Sequence, residues 1–114
     1  MLTSGDVIEL DLGIPQGREA GFRHPAIVVT AQRILDAQPN VIQVVPLTST
    51  VRGFAAEIAL EPDTDNGLRN PSAAQCQHIR AVSSGRVDQV IGNVGPAAVT
   101  QIRDTLGLIL DITS

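Results

Sequence analysis

From Val7 the chain alternates, with Ile8, Leu10 and Leu12 on one face of an extended segment and Glu9 and Asp11 on the other. A period of two with this composition predicts a half-buried β-strand over residues 7–12. Residues 13–25 hold Gly13, Gly17, Gly21, Pro15 and Pro25 among few apolar positions, which predicts a long loop. Loops of that length are uncommon in small domains unless they carry function. The apolar run at 26–30 predicts a central strand, and 31–38 a short helix or turn ended by Pro39 and Asn40. A β-branched strand follows at 41–45, capped by Pro46. Residues 47–53 form a second polar loop, 56–60 another strand, and 61–71 an exposed turn rich in Asp, Asn and Pro. Residues 72–82 read as one extended stretch with a brief turn at 83–85, and 87–94 as a last strand weakened by Gly92.

Pro96 then occupies a first helical position, where its missing N–H costs nothing. Val99, Ile102, Leu106 and Ile109 recur at spacings of three and four, the stripe of an amphipathic helix whose end Gly107 leaves open. Five to six short strands followed by one helix predict a mostly β (α+β) fold. It is a small, antiparallel, barrel-like sheet with a helix packed across it, one domain over residues 1–114.

Composition narrows the class without choosing it. At 114 residues and 43% hydrophobic content the chain can bury one core. No apolar run is long enough to span a bilayer, and the N-terminus lacks the pattern of a secretory signal, so a cytoplasmic location is expected. A single cysteine, Cys76, excludes an intramolecular disulfide framework and a cysteine-rich zinc site. Eight basic residues, every one Arg, stand against twelve acidic ones, for a net charge of −4. That balance argues against a broad nucleic-acid patch but permits a local one, since the guanidinium fork matches phosphate geometry.

Chemistry concentrates in the two polar loops. The first carries Arg18, Glu19, Arg23 and His24 before a buried strand, and the second Thr48, Ser49, Thr50 and Arg52 after one. If those strands are antiparallel neighbours, both loops meet at one edge of the sheet. The site would then offer cations, a titratable imidazole, a carboxylate and hydroxyls. This set suits metal-free RNA cleavage, in which the ribose 2′-hydroxyl attacks its own phosphate. The protein supplies only a base, an acid and donors for the growing charge. The ordinary alternatives are a structural His at the start of a strand and turn hydroxyls bonding their own backbone. His24 and His78 are the only histidines, and nothing in their spacing signals a metal or other cofactor.

Several segments resemble the MazF/PemK toxin family. Residues 5–12 (GDVIELDL) are similar to its opening strand, and 17–30 (GREAGFRHPAIVVT) to its segment joining a glutamate loop to an arginine–proline pair. Residues 45–50 (VPLTST), with Arg52 and Gly53 after them, resemble its threonine loop, and 72–80 (SAAQCQHIR) a later strand carrying Gln. The likeness runs in order through almost the whole chain and closes on the helix at Gly95 and Pro96. It implies an SH3-like barrel with a C-terminal helix, a homodimer, and a type II toxin held in check by a MazE-like antitoxin with an acidic tail. It also implies a metal-independent, sequence-specific endoribonuclease acting on single-stranded RNA, with messenger, transfer and ribosomal RNA as the target classes.

By that resemblance Thr48 is the catalytic threonine, Glu19 an active-site glutamate and Gln75 a lining residue of the RNA groove. Arg18, Phe22, Ser49, Thr50, Arg52 and Arg80 complete the RNA surface, with Phe22 and Phe54 the only rings able to stack on bases. The chain departs from the family at one point. The catalytic arginine usually stands directly before the proline, and here His24 holds that place with Arg23 one residue earlier. Either Arg23 reaches the phosphate from a shifted loop, or His24 transfers protons while Arg23 stabilises charge, and the second fits the chemistry better. The rival functions are a non-catalytic, CcdB-like gyrase poison and an inactive antitoxin-binding subunit.

Overall fold

Seven short strands, each of four to eight residues and several rich in β-branched side chains, hydrogen-bond into one antiparallel sheet. The computed structural model describes residues 1–11 and 23–112. Its elements are β1 (Asp6–Asp11), β2 (Arg23–Val28), α1 (Gln32–Leu35), β3 (Val41–Thr48), β4 (Glu57–Leu60), β5 (Ser72–Gln75), β6 (Arg80–Ser83), β7 (Val87–Asn93) and α2 (Pro96–Ile109). Hydrogen bonding runs β4-β5-β3-β2-β1-β7, with β6 also paired to β3. This is the mostly β barrel with a C-terminal helix that the sequence pattern implies.

β1 is not half-buried, as its alternation predicts, but buried on both faces for most of its length. Val7 joins a core of Ile27, Val45, Leu47, Ala74 and Cys76 that α2 closes with Ile102 and Leu106. Ile8 and Leu10 join a second core with Ala26, Val28, Ile42, Val44 and Leu35 of α1. Glu9 and Asp11 emerge only where the first core ends.

β3 runs through Pro46 instead of stopping there. Its residues Val41 to Val44 pair with β6, while Leu47 and Thr48 pair with β5. Pro46, which has no N–H to give, occupies the changeover between those two partners. The predicted single extended stretch at 72–82 is broken by a 3₁₀ turn at Cys76–His78, which lets β5 and β6 share one edge of β3.

The helical stripe is buried at Val99, Ile102 and Leu106 but has run out by Ile109, which is 42% exposed. Asn93 anchors the start of α2: its Oδ1 accepts from the Gly95 N–H at 2.7 Å, and its Nδ2 donates to buried Asp6 at 3.0 Å. The 61–71 turn docks on β7 around Asn66, which is 2% exposed and gives its Nδ2 proton to the Glu61 carbonyl. Gly92 makes that docking possible, since a Cβ there would stand 2.3 Å from the Asn66 carbonyl carbon.

Candidate active site

β2 and β3 are antiparallel neighbours, with Ala26 across from Pro46 and Ile27 across from Val45. The start of β2 therefore lies beside the end of β3, the juxtaposition on which the two-loop reading depends. β2 begins at Arg23, however, three residues earlier than the predicted loop allows, so Arg23, His24 and Pro25 are strand residues. Successive strand residues point to opposite faces. The consequence is a site divided by the sheet.

On one face, Pro25 joins Glu9, Leu47, Thr48, Ser49, Arg69 and Gln89 around an open cleft of about 490 Å³. The 61–71 turn forms its far wall through Gly67, Leu68 and Asn70. Arg23 lies beside this cleft, bonded to Asp88 and 4.0 Å from Glu9, so its guanidinium faces two carboxylates. Within the loop the Thr48 Oγ1 accepts from the Thr50 N–H at 3.1 Å, which leaves its own hydroxyl proton to give.

On the other face, His24 lines a smaller cavity of about 230 Å³ with Leu10, Ala26, Val44, Pro46, His78 and Arg80. Val44 pairs with Arg80 across β3 and β6, and Leu10 with His24 across β1 and β2. The cavity is thus an apolar floor of sheet residues with two imidazoles and a guanidinium above it. Burial first, and the Arg80 charge second, hold the His24 imidazole below its ordinary value of 6.5, so it is neutral at physiological pH. Among the described residues no carboxylate pairs with Arg80. The register at Ala26 and Pro46, carried two residues further, sets Thr48 level with His24 along the strands.

The remaining sequence-derived residues distribute unevenly. Ser49 lines the cleft; Thr50 and Arg52 are exposed in the same loop, the Arg52 N–H donating to Glu57 at 3.2 Å. Gln75 ends β5 across from Glu57 and lines neither cavity. Arg18, Glu19 and Phe22 lie outside the described residues. Beside Gln89 of β7, two residues outside the strands carried no role in the sequence reading, His78 and Arg69. No local pattern marks either: His78 sits in a 3₁₀ turn, and Arg69 in an irregular turn brought to the cleft by tertiary docking.

Among the described residues, no helix is long and apolar enough to cross a membrane. Within the same residues, no group of three or more His, Cys, Asp or Glu side chains is arranged to hold a metal ion.

Residues 3–110 match the family described as PemK-like, MazF-like toxins of type II toxin–antitoxin systems. The endoribonuclease MazF9 of Mycobacterium tuberculosis is 32% identical over 118 aligned positions that cover 100% of both chains. Endoribonuclease MazF3 of the same organism is 27% identical over 88 positions, 77% of this chain and 82% of that protein. A mycobacterial endoribonuclease solved with its cognate antitoxin shares the fold with a TM-score of 0.78 at 21% identity, covering 100% of this chain and 99% of that one. A MazE–MazF complex from Deinococcus radiodurans gives a TM-score of 0.75 at 20% identity, covering 96% of this chain and 95% of that one. Matched over nearly its whole length, by sequence first and by fold second, the chain belongs to the PemK-like, MazF-like family of type II toxins.

Proposed function

We propose that this toxin is an endoribonuclease that cuts single-stranded RNA by attack of the ribose 2′-hydroxyl on the adjacent phosphate, without a metal, at the His24 face of β2. The observation that carries the reading is the shared cavity of His24 and Arg80 at the β2–β3 rim. A neutral imidazole accepts the 2′-hydroxyl proton. The Arg80 guanidinium, with no described carboxylate to neutralise it, holds the non-bridging phosphate oxygens as their charge grows. Thr48, level with His24 along the strands but lining the Pro25-face cleft, offers its hydroxyl to the RNA backbone where it crosses the rim between the two faces. Arg23 fits the phosphate role less well because Asp88 and Glu9 already compensate its charge.

The cleft on the Pro25 face extends the RNA path. Ser49, Gln89 and Arg69 line it and offer hydrogen bonds to flanking nucleotides, with Thr50 and Arg52 in the adjoining loop. An antitoxin of the MazE kind, with an acidic tail, competes for Arg80 and Arg69 and folds as it binds. A two-fold homodimer in the cytoplasm completes the reading. It is supported by exposed apolar side chains at the end of α2, with Leu108 84% and Leu110 52% exposed.

The test is cleavage of single-stranded RNA by purified protein in excess EDTA. Discrete cuts ending in 2′,3′-cyclic phosphates and 5′-hydroxyls are expected, and a 2′-deoxy residue at the cut site should abolish them. Cutting that survives the deoxy substitution overturns the mechanism. DNA breaks that depend on gyrase, without RNA cleavage, select the poison instead.

A further inference from the structure

Proton transfer at phosphorus needs two groups, because the base that takes the 2′-hydroxyl proton cannot at the same moment protonate the departing 5′-oxygen. His24 supplies one. The same cavity holds a second imidazole, His78, carried there by the 3₁₀ turn between β5 and β6. Leu10, Ala26, Val44 and Pro46 are the other walls, so among the described residues the ionisable groups facing His24 are His78 and Arg80 alone. The two histidines differ in setting: His24 is half-buried on β2, while His78 is solvent-exposed at the cavity mouth. We propose that His78 is the general acid of the reaction, paired with His24 as general base across the phosphate held by Arg80.

The inference rests on the RNA-cleavage reading of this site. In one step His24 removes the 2′-hydroxyl proton, the 2′-oxygen forms a bond to phosphorus, and the bond from phosphorus to the 5′-oxygen breaks. The 5′-oxygen leaves with the proton from His78. The net transfer is one proton from the 2′- to the 5′-oxygen, leaving His24 protonated and His78 neutral. Solvent restores both, readily for an exposed His78.

The experiment compares two oligoribonucleotides, one normal and one with sulfur replacing the 5′-bridging oxygen at the cut site. A thiolate leaves without protonation, so it needs no general acid. With the normal substrate, His78→Ala and His78→Gln should each lose about 10²-fold in rate. With the sulfur substrate both should cut at close to the wild-type rate, while His24→Ala stays slow on either. Circular dichroism checks the fold of each variant. A His78 variant with normal activity, or one equally impaired on both substrates, overturns the general-acid role while leaving RNA cleavage intact. A wild-type protein that cuts neither substrate removes the cleavage reading itself, and this inference with it.

Discussion

The two faces of β2 differ more than two adjacent residues of one strand would lead one to expect. On the Pro25 face the cleft is roomy and mixed in charge, with Arg23 held by Asp88 and Glu9 and with Glu9 itself in the wall. On the His24 face the cavity is about half that volume, floored by apolar side chains, and no described carboxylate lines it. A cation already matched to two carboxylates must lose them to bind phosphate. Arg80 has no such exchange to make among the described residues. Phosphate affinity is therefore set by how each arginine is already engaged, more than by how many arginines the chain has.

The sharpest way to break this contrast is to delete one side chain from each face. His24→Ala should slow RNA cleavage by about 10²-fold or more, with RNA binding little changed, because a neutral imidazole adds little to phosphate affinity. Arg23→Ala should cost less than His24→Ala in the same initial-rate assay. If Arg23→Ala is inactive and His24→Ala near normal, the chemistry belongs to the Pro25 face.

A second experiment attacks the cleft wall. Gly92→Ala would force a Cβ against the Asn66 backbone, at 2.3 Å, and should destabilise the fold by about 1–3 kcal/mol in denaturant titration. Stability equal to wild type would mean that the 61–71 turn can lift off β7 without loss.

The His24 face also makes a prediction in pH. The depressed His24 pKa places the acidic limb of the rate profile below 6.5. Arg80→Ala removes the repulsive charge but not the burial, so the limb should move up towards 6.5 without reaching it. For stability the sign follows from the same shift. The unfolded chain protonates His24 at a higher pH than the folded one, so its contribution is intact above 6.5 and is lost as pH falls from there towards the folded value. A limb unmoved in Arg80→Ala would separate the two side chains electrostatically.

The smallest effects are expected in stability at the exposed loop and ion pair. Thr48→Ala removes one acceptor for the Thr50 N–H and should change the melting temperature little while lowering the rate. Arg23→Ala breaks an exposed pair and should cost less than about 1 kcal/mol of stability.

Much of the fold is local enough to read from the chain. The α2 stripe, the β-branched runs of β2 and β3 and the acidic turn before β5 each follow from a period or a composition within a dozen residues. Elements that depend on a partner depart from what their own pattern predicts. Val7 appears solvent-facing by alternation until α2 covers it, and Pro46 ends a strand only if that strand keeps one neighbour. The candidate site behaves the same way. That Arg23, His24 and Thr48 meet at one edge was legible, because two antiparallel strands need only lie side by side. Which face each serves was not, since β2 extends three residues before the predicted strand and alternation along it sends Arg23 and Pro25 to one face and His24 to the other. His78 reaches His24 through a chain of pairings, β2 to β3 to β6, that no spacing along the sequence records. The sequence alone determined which side chains were available and which segments were extended or helical. The coiling of β3 between two partners decided which of them share a cavity, because burial and strand parity are properties of the assembled sheet.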